Sequence, residues 1–218
     1  RRNLDKALIG WRWTAADVGL YTKAYQLLLL PIQQINAPIS AVAVPTLSRL
    51  QNDPERYAKV YYKLIKTVCY MSMPLVAAMI VFASEIIFIV LGKQWGEAIP
   101  IYTVLGFIAL FQSIVNTNGW VLVSLNQADR LLVWGMITTP LFALAFVLGL
   151  PWGAFGVAVA YTACAYVLLI PNMMFSFARA PMSLAGLAKA IYRPVVITAV
   201  FALIAAGARE GLIGQGRI

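Results

Sequence analysis

The stretch VGLYTKAYQLLLLPIQQINAPISAVAVPTLSRL, from Val18 to Leu50, decides the fold. A helix crosses a bilayer in about 20 apolar residues, and this run is long and apolar enough to do so. Yet it carries Lys23, Gln26, Gln33, Gln34, Asn36 and three prolines. At about 100° per residue, Thr22, Gln26, Gln33, Asn36 and Ser40 share an arc of roughly 80°. Pro31, Pro38 and Pro45 recur every seventh residue and land on roughly the opposite side. The pattern predicts a membrane helix with one wet face and one kink-prone face.

The rest of the composition agrees. The chain has 218 residues, of which 61% are hydrophobic and 11% charged, with mean hydropathy +0.80. Soluble domains are closer to 45–50% apolar and about 25% charged, and a soluble core could not hide this much apolar surface. Successive windows of roughly 15–25 mostly apolar residues predict helical spans rather than the short alternating strands of a barrel. The predicted fold is an all-α, polytopic transmembrane helical bundle.

Outward from the opening helix, residues 1–13 read as a partial span carrying Asn3, Asp5 and Lys6. Spans follow at about 18–48, 68–91, 98–125, 131–150, 154–177 and 194–208. The start at Arg1 inside an apolar stretch reads as an internal piece of a longer protein. QNDPER is a helix start, with Asp53 as cap, Pro54 at the first helical position and Glu55 complementing the dipole. Arg56, Lys59, Lys63 and Lys66 follow at spacings of three, four and three. This predicts an amphipathic helix at about 54–66 lying along the membrane surface, with a second at about 184–192.

The net charge of +9 would suggest nucleic acid in a soluble protein. Here the cations sit between spans. Arg49, Arg56, Lys59, Lys63, Lys66, Arg130, Arg179, Lys189 and Arg193 gather on one side, against Arg12, Lys93, Arg209 and Arg217 on the other. The nine-residue side is expected to be cytoplasmic, and no nucleic-acid partner is needed. Cys69 and Cys164 lie in apolar stretches without metal-ligand spacing and read as packing residues.

Ionisable groups within spans are functional candidates because hydrocarbon penalises them. Lys23 either snorkels to the interface or faces a wet cavity and draws an anionic group. Asp5 and Lys6 pair locally or line the same cavity, as ion-coupling candidates. Glu85 falls near an interface and reads as structural. Gln26, Gln33, Asn36, Gln112 and Asn116 can donate and accept hydrogen bonds, as sugar hydroxyls require; their other role is interhelical bonding. Gln112 and Asn116, four apart, share a helix face. No nucleotide-binding glycine loop, metal-ligand cluster, nucleophile–base arrangement or close pair of intramembrane carboxylates is present. The sequence therefore predicts no enzyme, cofactor or metal site.

Four motifs then stand in order: N-L-D-x-x-x-I-G at residues 3–10, G-x-Y-x-x-A-Y at 19–25, P-x-L-S-R-L at 45–50 and D-P-E-R at 53–56. With the span closing on LGKQWGEAIP, they resemble the polysaccharide and oligosaccharide flippases. The likeness is to the colanic-acid and O-antigen branch of the multidrug/oligosaccharidyl-lipid/polysaccharide exporter superfamily. It extends more weakly to about Phe177.

The resemblance implies two helical bundles around a central cavity, worked by alternating access, with this chain forming most of the second bundle. It implies export of undecaprenyl-diphosphate-linked oligosaccharide across the bacterial inner membrane, coupled to H+ or Na+. Lys23, Gln26, Gln33, Asn36, Gln112 and Asn116 would then meet substrate, beside a polysaccharide polymerase and export machinery. Related peptidoglycan-precursor flippases carry a cation at the position of Gln26, whereas here the nearby cation is Lys23. The competing expectations are a multidrug-type cation antiporter, a membrane-embedded glycan polymerase or transferase, and a scaffolding subunit. An antiporter would want a carboxylate-rich cavity, a polymerase a large outer loop, and a scaffold would not need the polar arc.

Overall fold

A computed structural model describes residues 14–215 of the chain. Helix α1 spans Ala15–Arg49, α2 Pro54–Val81, α3 Ala83–Val90, α4 Ala98–Ser124, α5 Ala128–Gly149, α6 Gly153–Phe177 and α7 Leu184–Gln215. Single 3₁₀ turns, Lys93–Trp95 and Leu150–Trp152, join α3 to α4 and α5 to α6. No strand occurs among the described residues, and the all-α bundle is as expected.

Local sequence sets the helix ends. Thr14 and Asp17 form a capping box: the Asp17 amide donates to Thr14 Oγ1 at 3.3 Å, and the Thr14 amide donates to Asp17 Oδ2 at 3.1 Å. Asp53 caps α2 by accepting from the Arg56 amide at 3.1 Å, with Pro54 at the first position. Pro31, Pro38 and Pro45 all lie inside α1, which nonetheless runs unbroken for 35 residues. At 1.5 Å per residue that is about 52 Å, well beyond a hydrocarbon core of about 30 Å.

Five stretches are long and apolar enough to cross a membrane: Ala16–Arg49, Pro54–Val81, Ala98–Ser124, Ala128–Phe177 and Leu184–Gly211. The fourth doubles back on itself. Gly153, at φ 69°, turns the chain where a residue with a Cβ would be strained. Gly149 and Gly156 then meet: a Cβ on Gly149 would lie 2.6 Å from the Gly156 carbonyl oxygen. Small residues allow this approach, which dispersion stabilises because lipid gives helices no hydrophobic push together. Rings continue the contact down the α5–α6 hairpin, Phe146 on Tyr161 at 5.7 Å and Trp134 on Phe175 at 5.0 Å.

Helix α4 is the hub, touching α1, α2 and α6. Across the α1–α4 seam, Asn36 Nδ2 donates to Ser113 Oγ at 3.3 Å and Trp120 Nε1 to Ser40 Oγ at 2.8 Å. Between α2 and α4, the Tyr57 and Tyr61 hydroxyls meet Ser124 at 2.6 Å and Thr117 at 2.9 Å. Both tyrosines are fully buried, so each phenol needs such a partner. One apolar cluster fills the bundle around Tyr21, Leu28, Tyr102 and Val157; another fills the basic end around Leu47, Tyr61, Trp120 and Phe177.

Three expectations change shape. The amphipathic segment 54–66 is not a separate surface helix, because α2 continues from Pro54 to Val81 without a break. Its buried Tyr57, Tyr61 and Ile65 lock onto the same neighbours as the apolar turns that follow. Likewise 184–192 is the first part of one 32-residue helix that absorbs Pro194. The expected span 68–91 instead breaks at Phe82, between α2 and α3.

Candidate functional site: a polar helix face and an aromatic cleft

On α1 the buried residues Tyr21, Ala24, Leu28, Ile32, Asn36, Ala43 and Leu47 recur at three, four or seven. This stripe faces α4 and α2. The predicted polar arc lies along its edge, and the seam divides it. Asn36 is only 6% exposed and bonds Ser113, and Ser40 accepts from Trp120. Those two hold helices together. Gln26 and Gln33 are exposed, together with Lys23 and Gln34, on a face that no described helix covers. Thr22 is intermediate.

Gln112 and Asn116 do share a face, Gln112 Nε2 donating to Asn116 Oδ1 at 3.1 Å. Asn116 is exposed, while Gln112 is half-buried in a cleft between α4, α5 and α6. That cleft, about 160 Å³, is lined by Tyr25 from α1, Phe111 and Gln112 from α4, Trp134, Thr138 and Phe142 from α5, and Tyr161, Tyr166 and Asn172 from α6. Tyr161 is its centre, with Phe142 at 5.3 Å and Tyr25 edge-on at 6.4 Å. Tyr166 donates to the Phe107 carbonyl at 3.0 Å, which fixes that ring against α4.

Asn172 Oδ1 and Ser176 Oγ, one turn apart on α6, are buried without a hydrogen-bond partner among the described residues. A buried amide oxygen without a donor costs about 1–3 kcal/mol, so such a group is a standing acceptor for a ligand. Ring faces beside the unmet Asn172 amide oxygen suit a molecule that has both C–H faces and hydroxyls.

The structure thus joins Gln112 to the cleft, assigns Asn36 to the seam, and leaves Lys23, Gln26 and Gln33 on the open face of α1. Asp5 and Lys6 lie outside the described residues. Of the basic stripe, Arg56, Lys59 and Lys63 are exposed and Lys66 is intermediate, 5.9 Å over the Tyr70 ring. Apart from Gln112, the cleft residues were missed from sequence. Their signal was present in G-x-Y-x-x-A-Y, which supplies Tyr25, and in Trp134, Thr138, Phe142 and Phe146 at intervals of four. Aromatic spacing of that kind also describes ordinary packing.

Among the described residues, no group of three or more Asp, Glu or Cys side chains could hold a metal. Glu85 is engaged with Arg209 at 2.7 Å.

Comparison with known proteins points one way. Residues 1–100 match a family described as polysaccharide biosynthesis protein. The teichuronic acid biosynthesis protein TuaB of Bacillus subtilis (strain 168) is 27% identical over 207 residues, 94% of this chain and 43% of that protein. The lipopolysaccharide biosynthesis protein WzxC of Escherichia coli (strain K12) is 27% identical over 160 residues, 73% of this chain and 32% of that protein. An uncharacterized membrane protein in the cps region of Klebsiella pneumoniae is 22% identical over 151 residues, 69% of this chain and 31% of that protein. The chain spans less than half the length of each of these relatives. No solved structure matches. Helical spans and bacterial relatives make this a multi-pass protein of the bacterial inner membrane, since outer-membrane proteins span as barrels. Motifs, family match and relatives agree: the chain is similar to membrane proteins of bacterial polysaccharide biosynthesis, the class that its motifs resemble.

Proposed function

We propose that this chain is one lobe, the second, of an alternating-access flippase. Its cargo is an undecaprenyl-diphosphate-linked oligosaccharide, moved to the outer leaflet for surface polysaccharide assembly. The reading is of a transporter and not an enzyme. The observation that carries it is the open face of α1, where Lys23, Gln26 and Gln33 are exposed on a helix apolar enough to span. Lipid penalises such groups, whereas a wet passage between two lobes accommodates them.

In this reading Lys23 attracts the diphosphate, and Gln26, Gln33 and Asn116 bond sugar hydroxyls. The aromatic cleft takes a sugar ring, with Gln112 and Asn172 as its polar contacts. Asp5 and Lys6 couple the motion to H+ or Na+, and a polymerase and export machinery receive the product. The test replaces Lys23, Gln26 and Gln33 together with Leu in the full-length protein. Membrane insertion should persist while surface polysaccharide is lost in a flippase-null strain; normal polysaccharide would sink the proposal.

A further inference from the structure

A second groove lies at the basic end of the bundle, between α2 and the first turns of α7. It is a shallow, open depression of about 550 Å³, lined by Lys63 and Lys66 from α2, Lys189 and Arg193 from α7, and the rings of Tyr62 and Tyr192. No carboxylate lines it. The acidic groups nearest in sequence, Asp53 and Glu55, sit at the start of α2, about 12 Å or more along the axis from Lys63.

Two helices bring these four cations together, and the junction is built. The Tyr62 hydroxyl accepts from the Ser183 amide at 2.9 Å and donates to the Ser183 carbonyl at 3.2 Å. Ser183 Oγ in turn accepts from the Gly186 amide at 3.0 Å, capping α7. Gly186 rests against the Tyr62 phenol so closely that a Cβ would collide with it. α7 is therefore pinned to α2 with like charges facing one groove. Like charges so held repel one another, and a multivalent anion between them removes that cost.

We propose that this groove binds the phosphate headgroup of an anionic phospholipid from the cytoplasmic leaflet. The charge bias of the loops puts this end in the cytoplasm, where anionic lipid attracts basic residues. The occupant is a lipid rather than a soluble anion because both helices turn apolar just beyond the groove. Met71 on α2 and Val196 on α7 are each more than half exposed, offering a track for acyl chains below a bound phosphate. Tyr192, 53% exposed at the rim, is suited to headgroup depth. Arg56 and Lys59 lie outside the groove and serve only as general surface charge.

Native mass spectrometry of the full-length protein, released from nanodiscs of phosphatidylcholine doped with diphosphatidylglycerol, tests this. Wild-type protein should retain diphosphatidylglycerol in preference to phosphatidylcholine, a comparison that needs no variant. Lys63→Gln/Lys66→Gln/Lys189→Gln/Arg193→Gln should retain it at least about tenfold less, since one basic residue near a membrane surface contributes about fivefold. Arg56→Gln/Lys59→Gln should leave retention intact, and so should Lys63→Arg/Lys66→Arg/Lys189→Arg. Four results would each overturn the proposal: no wild-type preference, equal retention by the quadruple variant, equal loss in the Arg56/Lys59 pair, or displacement of the lipid by inorganic pyrophosphate. Preferential capture of a polyprenyl diphosphate over the phospholipid would also overturn it, and would make the groove a substrate site.

Discussion

Asn36 and Ser113, 77 positions apart, are joined across the α1–α4 seam by a 3.3 Å hydrogen bond in the middle of the bundle. The bond separates two kinds of polar residue that lie on one arc of α1. Asn36→Leu should lower stability by about 0.5–1.5 kcal/mol, the scale of side-chain bonds between membrane helices. Gln33→Leu, on the exposed side, should leave stability unchanged. Thermal unfolding in detergent, read beside polysaccharide export, separates them. Asn36 should fail first on stability and Gln33 on export.

Asn172 offers a sharper dissociation. Its Oδ1 is buried without a donor among the described residues, so Asn172→Leu removes an unmet acceptor and should keep or raise stability by up to about 1–2 kcal/mol. If the cleft handles sugar, the same change should reduce export severalfold. A variant that is both stable and fully active would show that the cleft is packing alone.

The close approach of the two hairpin helices depends on two glycines. A Cβ on Gly149 meets the Gly156 carbonyl, and one on Gly156 meets the Gly149 carbonyl and Trp152. Either alanine replacement should cost about 1–3 kcal/mol by overpacking. Gly207, with open space at its Cβ, is the control and should tolerate alanine. The midpoint of thermal aggregation compares all three.

Arg209 Nε donates to Glu85 Oε1 at 2.7 Å and Arg209 Nη2 to Ser84 Oγ at 2.6 Å, tying α7 to α3. Both charged side chains are over a third exposed, so solvent screening limits the coupling. A double-mutant cycle with Glu85→Gln and Arg209→Gln should give about 0.2–1 kcal/mol, shrinking as salt rises. A coupling of several kcal/mol would contradict the open geometry.

The helices were legible because twenty-residue apolar runs separated by charge have few other readings. Caps and prolines sharpened the ends, as at Asp53 and Pro54. The division of the polar arc was not legible. Lipid and protein neighbours are both apolar, so periodicity along α1 cannot say whether Asn36 meets Ser113 or water. Only the placement of α4 settles it. The cleft was hidden for a related reason, since Tyr161 and Phe142 look alike whether they pack, face lipid or line a groove. The basic segment at 54–66 has a second side that its charges hide. Its charge pattern is real, and Tyr57, Tyr61 and Ile65 on its other face pack into the bundle, which makes it the first turns of a longer helix.

The three prolines of α1 have an effect on the backbone itself. Each lacks an amide hydrogen and so deprives the carbonyl four residues earlier of its helical donor: Leu27, Gln34 and Ala41. These oxygens recur every seven residues, about 10.5 Å apart along the axis. α1 therefore carries a ladder of acceptors that is written into the main chain. The helix therefore lacks a main-chain bond at three regular steps, and it can bend there whichever side chains happen to decorate the rungs.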